Sequence, residues 1–260
     1  MTTARRSIPR TRVGAALLVL GTVQFLVAHL VVQSAFAAPY SGAANYISDL
    51  GALTCTPRVC SPRHAVMNTA FVLQGVLLIA GTLLTAGAWT AGAGRRVWQG
   101  LVVAAGVSWV VVGLVPEDVD GAVHAAGALP GFVVSNAALL LAGASSSTRP
   151  YPAARRAATV LGAVGAAGFA LLAVATWWPD GPVGDLDGYA GAVERAVVYP
   201  LQAWAVVAGV ALSRRARPPR RPSRPGGGGP RSPSRRSRTG PRPCRSPGCP
   251  PPASRPHRPA

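Results

Sequence analysis

Charge is scarce along most of this 260-residue chain, and negative charge is the scarcer sign. There is no lysine, and 8 acidic residues stand against 26 arginines. Charged residues make up 13% of the chain, whereas an ordinary soluble domain carries about 25%. The composition therefore excludes a soluble domain with a charged surface.

Motifs of nucleotide-dependent and metal-dependent enzymes are also missing. The chain has no G-x-x-x-x-G-K-[ST] pattern, and the glycine run at 226–229 lies in a Pro/Arg-rich segment rather than between a strand and a helix. No H-x-x-x-H or H-E-x-x-H pattern is present.

The net charge of +18 comes mostly from the tail and the loops, which indicates membrane orientation rather than nucleic-acid binding. Four cysteines offer little for a structural zinc site.

Long apolar runs are what the chain has in abundance. About 20 apolar residues in a helix cross the hydrocarbon core of a bilayer. Six such runs, each bounded by proline or charge, predict an all-α polytopic transmembrane helical bundle with six spans. The predicted spans are Val13–Ala37, Ala65–Thr90, Val97–Val115, Val119–Ala144, Ala157–Trp178 and Val193–Ser213.

The arginines predict the orientation of the bundle. With the N-terminus inside, the inner segments before the tail hold nine arginines and the outer segments hold three, so both termini are expected in the cytoplasm and the chain in the cell membrane. Residues 1–12 form a basic N-terminal segment, and residues 13–213 form the membrane domain. All eight acids then fall on the outer side.

An alternative is that the first span is a cleaved signal peptide, since "SAFAAPY" offers small-residue cleavage positions.

The segment 214–260 is predicted to be a disordered, Arg/Pro-rich cytoplasmic tail. It is rich in Pro, Gly and Ser and has almost no apolar residues. Its arginines would lie on anionic lipid headgroups. The alternative is an unselected extension of the reading frame. The expected partners are the lipid bilayer and these headgroups, with no nucleic acid.

The stretch "NYISDLGALTCTPRVCSPRHAVMN", at 45–68, concentrates polar chemistry between the first two spans. Cys55 and Cys60 would face an oxidising compartment, where a disulfide persists. Ionisable groups at the edge of a span face the bundle interior, pair with one another or line a watery cavity. The candidate polar cluster consists of Asp49, His64, Asn68, His124, Glu194 and Arg195.

Three interpretations of this cluster stay open. In the first, Glu194 or Asp49 pairs with Arg195 or Arg63 and the role is structural. In the second, zinc is held by His64, His124 and Asp49 and activates a water molecule. In the third, the same groups relay a proton or a solute.

Four segments of the chain also resemble a known family. "YSGAANYISDLGA", "CSPRHAVMNTAFVLQG", "PEDVDGAVHAAGA" and "GAVERAVVYPLQAW" are similar, in this order, to the bacterial multi-pass membrane family called domain of unknown function 998. The resemblance covers residues 13 to about 212 and implies a six-helix bundle of uncharacterised activity. It places Ser48-Asp49, Asn68, Pro116, His124 and Glu194-Arg195 on the motif positions of the family.

The first functional interpretation is a non-enzymatic integral membrane protein with an outward-facing polar cluster. The alternative is a metal-dependent membrane hydrolase that acts on a lipid or another amphiphile at the outer leaflet. Its kinship with zinc hydrolases of membranes is an analogy of fold alone. A transporter is the third interpretation, which the absence of a visible inverted repeat disfavours. The sequence indicates neither a substrate nor an oligomeric state.

Overall fold

The structure of the protein is a computed structural model that describes residues 3–178, 180, 181, 186 and 188–215. Regular secondary structure in this part of the chain is helical throughout. The six long helices are α1 (Thr3–Gln33), α2 (His64–Thr85), α3 (Ala93–Leu114), α4 (Gly121–Ala144), α5 (Pro152–Trp177) and α6 (Ala190–Arg215). All six contain a segment long and apolar enough to cross a membrane, which confirms the predicted bundle.

The six helices form a closed ring in chain order. Each helix packs against the next one, and α6 returns to pack against α1. In addition, α4 contacts α6 across the ring. The connections from α2 to α3, from α3 to α4 and from α4 to α5 are short, so these consecutive antiparallel helices lie side by side.

The observed helix ends differ from the predicted spans. Helix α1 begins at Thr3 and includes Pro9, so part of the predicted basic N-terminal segment is helical, and it ends at Gln33 rather than Ala37. Helix α5 begins five residues before the predicted span, because Pro152 occupies a first-turn position where its missing N–H costs nothing. Helix α6 extends to Arg215, so the first two residues of the predicted tail are helical. The rest of that tail, at 216–260, lies outside the described residues, as do Asp185 and Asp187.

Small residues allow the helices to approach closely. A Cβ added at Gly131 of α4 would lie 2.7 Å from Ser108 Cβ of α3, and one at Gly162 of α5 would lie 2.9 Å from Leu140 N of α4. A Cβ at Gly75 of α2 would collide with the carbonyl oxygen of Gly106 of α3. The glycines at these crossings therefore set the interhelical distance, as small residues do in membrane bundles.

The two ends of the bundle differ in charge. One end, called here the basic end, carries the arginines at the start of α3, in the α4–α5 connection, at the start of α5 and at the C-terminus of α6: Arg95, Arg96, Arg149, Arg155, Arg156, Arg214 and Arg215. Its interior is filled by packed aromatic rings, with Trp98 and Trp204 at most 2% exposed and 5.7 Å apart between ring centroids. The opposite end, called the cap end, carries the described acidic residues.

The connection between α1 and α2, at 34–63, covers the cap end and is called the cap. Its centre is a short 3₁₀ turn, Ser48–Gly51, in which Leu50 is fully buried. Ile47 and Leu50 pack with Phe25, Met67 and Phe71 of α1 and α2. The "ISDLG" segment is therefore inserted into the top of the bundle rather than lying in solvent.

Candidate functional site

Three carboxylates bind backbone N–H groups of the cap. Glu194, at the start of α6 and 7% exposed, accepts a short hydrogen bond from Ile47 N. Asp49 accepts from Tyr46 N at 3.1 Å and from Asn45 Nδ2 at 2.9 Å. Asp118, in the α3–α4 connection, accepts from Leu53 N, Thr54 N and Thr54 Oγ1 at 3.1, 2.7 and 2.6 Å. The acids at this end thus satisfy donors that the irregular backbone of the cap would otherwise leave unpaired.

Donors from the helices bind the carbonyl groups of the cap. Arg195 Nη1 donates to Asn45 O at 2.7 Å and to Gly191 O at 2.9 Å, and its Nη2 donates to the Tyr40 hydroxyl. Burial raises the pKa of Tyr40 to about 12, although Arg195 acts in the opposite direction, so this hydroxyl stays protonated at neutral pH. Asn68 Nδ2 of α2 donates to Gly51 O at 2.9 Å. Both halves of the chain therefore hold the cap.

Glu117 is half-buried in the α3–α4 connection, and its surroundings change its pKa. Burial raises its pKa to about 7, and hydrogen bonding to Asp49 adds to the increase, while the Ser48 hydroxyl opposes it. The neighbouring Asp118 behaves in the opposite way. Desolvation raises its pKa, but the hydrogen bonds from Thr54 and Leu53 together outweigh this and lower the pKa overall. Two adjacent carboxyls thus titrate in different ranges.

A cavity of about 50 Å³ lies beneath the cap, between α2, α3, α4 and α6. Ile47 and Ser48 of the cap form part of its lining, and it reaches Ala105 and Ser135, near the middle of α3 and α4. Since one water molecule occupies about 10–15 Å³ on this measure, the cavity has room for a few heavy atoms. It would hold a small group but not a whole lipid.

The wall of the cavity is mostly apolar and carries a few polar groups. Phe71, Trp109 and Phe132 present aromatic rings, and Ser48, Ser108, His124, Ser135 and Glu194 supply the polar atoms. Trp109 is held by packing against Phe71 and Phe25, with ring centroids 5.5 and 4.9 Å away. An apolar wall with convergent polar groups is typical of a ligand site.

The hydrogen bond of His124 determines what its ring can offer to the cavity. Nδ1 lies 2.8 Å from Val115 O, and a carbonyl oxygen only accepts, so Nδ1 carries the proton. In the neutral ring, Nε2 is therefore the acceptor nitrogen. The helix that carries His124 is capped by Asp120, whose side chain accepts from Ala122 N and Val123 N.

The structure divides the predicted cluster in two. Asp49, Asn68 and Arg195 hold the cap, while His124 lines the cavity and Glu194 does both. His64 is directed to Ser61 O, at 3.0 Å, and does not line this cavity. Within the described ranges, no three His, Cys, Asp or Glu side chains are grouped so that they could share a metal ion. Cys55 and Cys60 are joined by a disulfide bond in the outer part of the cap.

Several residues of the site were missed from the sequence. Ser108, Trp109, Phe132 and Ser135 lie in apolar spans where they read as ordinary lipid-facing or packing residues. A signal was available for Ser108 and Trp109. They are consecutive residues in the apolar run of α3, and both side chains can form hydrogen bonds. Nothing in the sequence indicated that this level faces the interior.

Comparison with known proteins gives a family but no activity. A family model described as "Protein of unknown function (DUF998)" matches residues 5–211. No curated protein and no solved structure matches the chain.

Proposed function

This chain belongs to the DUF998 family, and we propose that it is a membrane protein whose cavity, under the cap, binds an alkylammonium group. The observation that carries the proposal is an acidic side chain, Glu194, in the wall of a small, mostly apolar cavity. Its Oε2 accepts from a neutral backbone N–H, and the guanidinium of the adjacent Arg195 binds Asn45 O, Gly191 O and Tyr40 instead. A cationic ligand in the cavity would place a positive charge against this side chain.

The aromatic lining supports the same ligand chemistry. An ammonium group over the face of Trp, Tyr or Phe gains about 0.5–2 kcal/mol from the ring quadrupole, most when both are desolvated. Phe71, Trp109 and Phe132 surround the cavity that Glu194 enters. Ser108 and Ser135 bring hydroxyl oxygens that can accept N–H bonds. The alkyl part of the ligand would contact the apolar wall.

The binding is tested with propylamine and propanol, which share a short alkyl chain that suits the cavity and differ in charge. The full chain is purified in nonionic detergent, and the increase in Tm is followed as each probe is added. We expect a saturable increase with propylamine and a much weaker one with propanol. Glu194→Gln should lower the affinity for propylamine at least tenfold, since a hydrogen bond to a charged group contributes about 1.5–3 kcal/mol.

Two further variants separate binding from folding. Asp118→Asn removes a carboxylate that binds the cap but does not line the cavity, so its response to propylamine should match that of the wild type. Ser108→Leu fills the cavity and leaves Glu194 in place, so it should abolish the response. Equal responses to the amine and the alcohol, or an unchanged affinity in Glu194→Gln, would show that the proposal is wrong.

We also propose that the cap end faces the outside of the cell and that both termini are cytoplasmic. The support is the excess of arginines at the basic end, which follows the positive-inside rule. Cys244 and Cys249 allow a direct test with a membrane-impermeant maleimide, because Cys55 and Cys60 are already paired. Labelling is expected only after the cells are permeabilised, and labelling of intact cells would reverse the orientation.

A further inference from the structure

A second groove lies on the surface between α1 and α6, toward the basic end. Its volume is about 600 Å³, and its lining includes the small side chains Ala15 and Ala16. Val19, Leu20 and Val23 of α1 line one side, and Val210 lines the other. The two helices cross in close contact at this level, since a Cβ on Gly209 would lie 2.7 Å from Ala15 O. The groove is therefore a furrow along a tight helix pair.

The furrow ends in positive charge. Ser213 and Arg214 of α6 line it at the basic end. On α1, the exposed Arg12 precedes Ala16 by four residues and Val19 by seven, so it lies on the same helix face as the furrow. The guanidinium of Arg215, the neighbour of Arg214, lies 4.9 Å from the centroid of the Tyr151 ring and contacts that ring. Arg12 and Arg214 thus lie at the same end of one apolar furrow.

We propose that this furrow, called the α1–α6 furrow, binds one anionic phospholipid, with an acyl chain along Ala16, Leu20 and Val23 and the phosphate between Arg12 and Arg214. Exposed apolar side chains in the furrow, such as Leu20 at 53% and Val23 at 48%, suit an acyl chain in the bilayer. Guanidinium groups bind phosphate oxygens through two parallel N–H bonds, and the Ser213 hydroxyl can add a third donor. The charge at the end of the furrow distinguishes this lipid from the zwitterionic lipids around the bundle.

The position of the furrow agrees with the lipid that it would bind. In the orientation proposed above, the basic end lies in the cytoplasmic leaflet, where anionic lipids attract juxtamembrane arginines by about 1 kcal/mol each. From Ala15 to Val23 the furrow follows α1 for about 12 Å, which keeps it within a single leaflet.

The test compares phosphatidylglycerol with phosphatidylcholine of the same acyl chains. Each lipid is titrated onto the full-length chain in nonionic detergent, and bound lipid is counted by native mass spectrometry. We expect the wild type to prefer phosphatidylglycerol. Because two arginines contribute about 1 kcal/mol each, the double variant Arg12→Gln/Arg214→Gln should lower the preference about thirtyfold.

Matched variants control for general attraction of anionic lipid to the other arginines. Arg96→Gln/Arg156→Gln removes two exposed arginines of the basic end on α3 and α5, and it should leave the preference near that of the wild type. Ala16→Phe fills the furrow without changing charge and should remove the tightly bound lipid, whereas Ala104→Phe on an exposed face of α3 should not. Equal loss in the two arginine pairs, no preference in the wild type, or no effect of Ala16→Phe would overturn the site.

Discussion

Replacing Glu117 with glutamine should remove much of the pH dependence of the stability of the protein. The pKa of this carboxyl is about 7 in the folded chain and about 4.5 when it is unperturbed. The folded state therefore holds the proton more tightly than the unfolded state between these values. The contribution of Glu117 to the free energy of unfolding is therefore fully present below pH 4.5 and is lost as the pH rises through 7. Glutamine is neutral throughout and cannot contribute this decrease.

The size of the effect follows from the difference in pKa. A difference of about 2.5 units corresponds to about 3.4 kcal/mol at 1.36 kcal/mol per unit, which is an upper limit. Glu117 is only half-buried, so solvent screening reduces the expected value to about 2 kcal/mol. For a chain of this size, that is a decrease in Tm of about 4–8 °C between pH 4.5 and pH 8.

The assay is thermal unfolding of the detergent-solubilised protein across this pH range. Glu117→Gln should flatten the profile and raise the Tm at pH 8 above that of the wild type. Asp118→Asn is the matched control, because the pKa of Asp118 is lowered and its contribution is lost only in more acidic solution. That variant should have a lower Tm at every pH tested and keep the slope of the wild type. A slope that persists in Glu117→Gln would refute the assignment to this carboxyl.

Two further predictions concern how the cap and the helices are held. Arg195→Lys keeps the charge but loses the two-pronged geometry that serves two carbonyl groups and a tyrosine hydroxyl, so we expect faster amide hydrogen exchange throughout the cap and little change in the basic end. Exchange at wild-type rates would show that this side chain does not hold the cap. Gly75→Val would force α2 away from the backbone of Gly106 and should lower the free energy of unfolding by about 1–3 kcal/mol. This loss should appear as a lower yield of monodisperse protein in size-exclusion chromatography. Gly100→Val, at a position with no atom within 4 Å of the added Cβ, is its control, and equal yields would contradict the close helix contact.

The helices of this protein were largely predictable, and the reason is physical. A span must satisfy its own backbone in lipid, so each apolar run of sufficient length can only be a helix. The ends were less predictable, because the residues that extend a helix beyond the apolar run are polar. Pro152 and Arg155 at the start of α5 illustrate this, since the helix includes them while the apolar run does not.

The candidate site was predictable in location but not in its contacts. The acids and amides of the cap end were found from their rarity, yet their partners are mainly backbone N–H and C=O groups, which every residue carries. Pairing of this kind leaves no mark in the sequence. The metal site of His64, His124 and Asp49 stays a prediction, and its two histidines lie on α2 and α4, with α3 between these helices in the ring.

The hydrogen bonds of the cap also impose an order on the biosynthesis of the protein. Ile47 and Asn45 emerge from the ribosome early, but their partners Glu194 and Arg195 follow about 150 residues later, in the last helix. Until α6 has been inserted, the N–H group of Ile47 and the carbonyl group of Asn45 have been synthesised but cannot bind Glu194 and Arg195. In a nascent chain that stops after five helices, the cap can pack against α1 and α2 and bind Asn68 and Asp118, but its full set of hydrogen bonds forms only once α6 has been made.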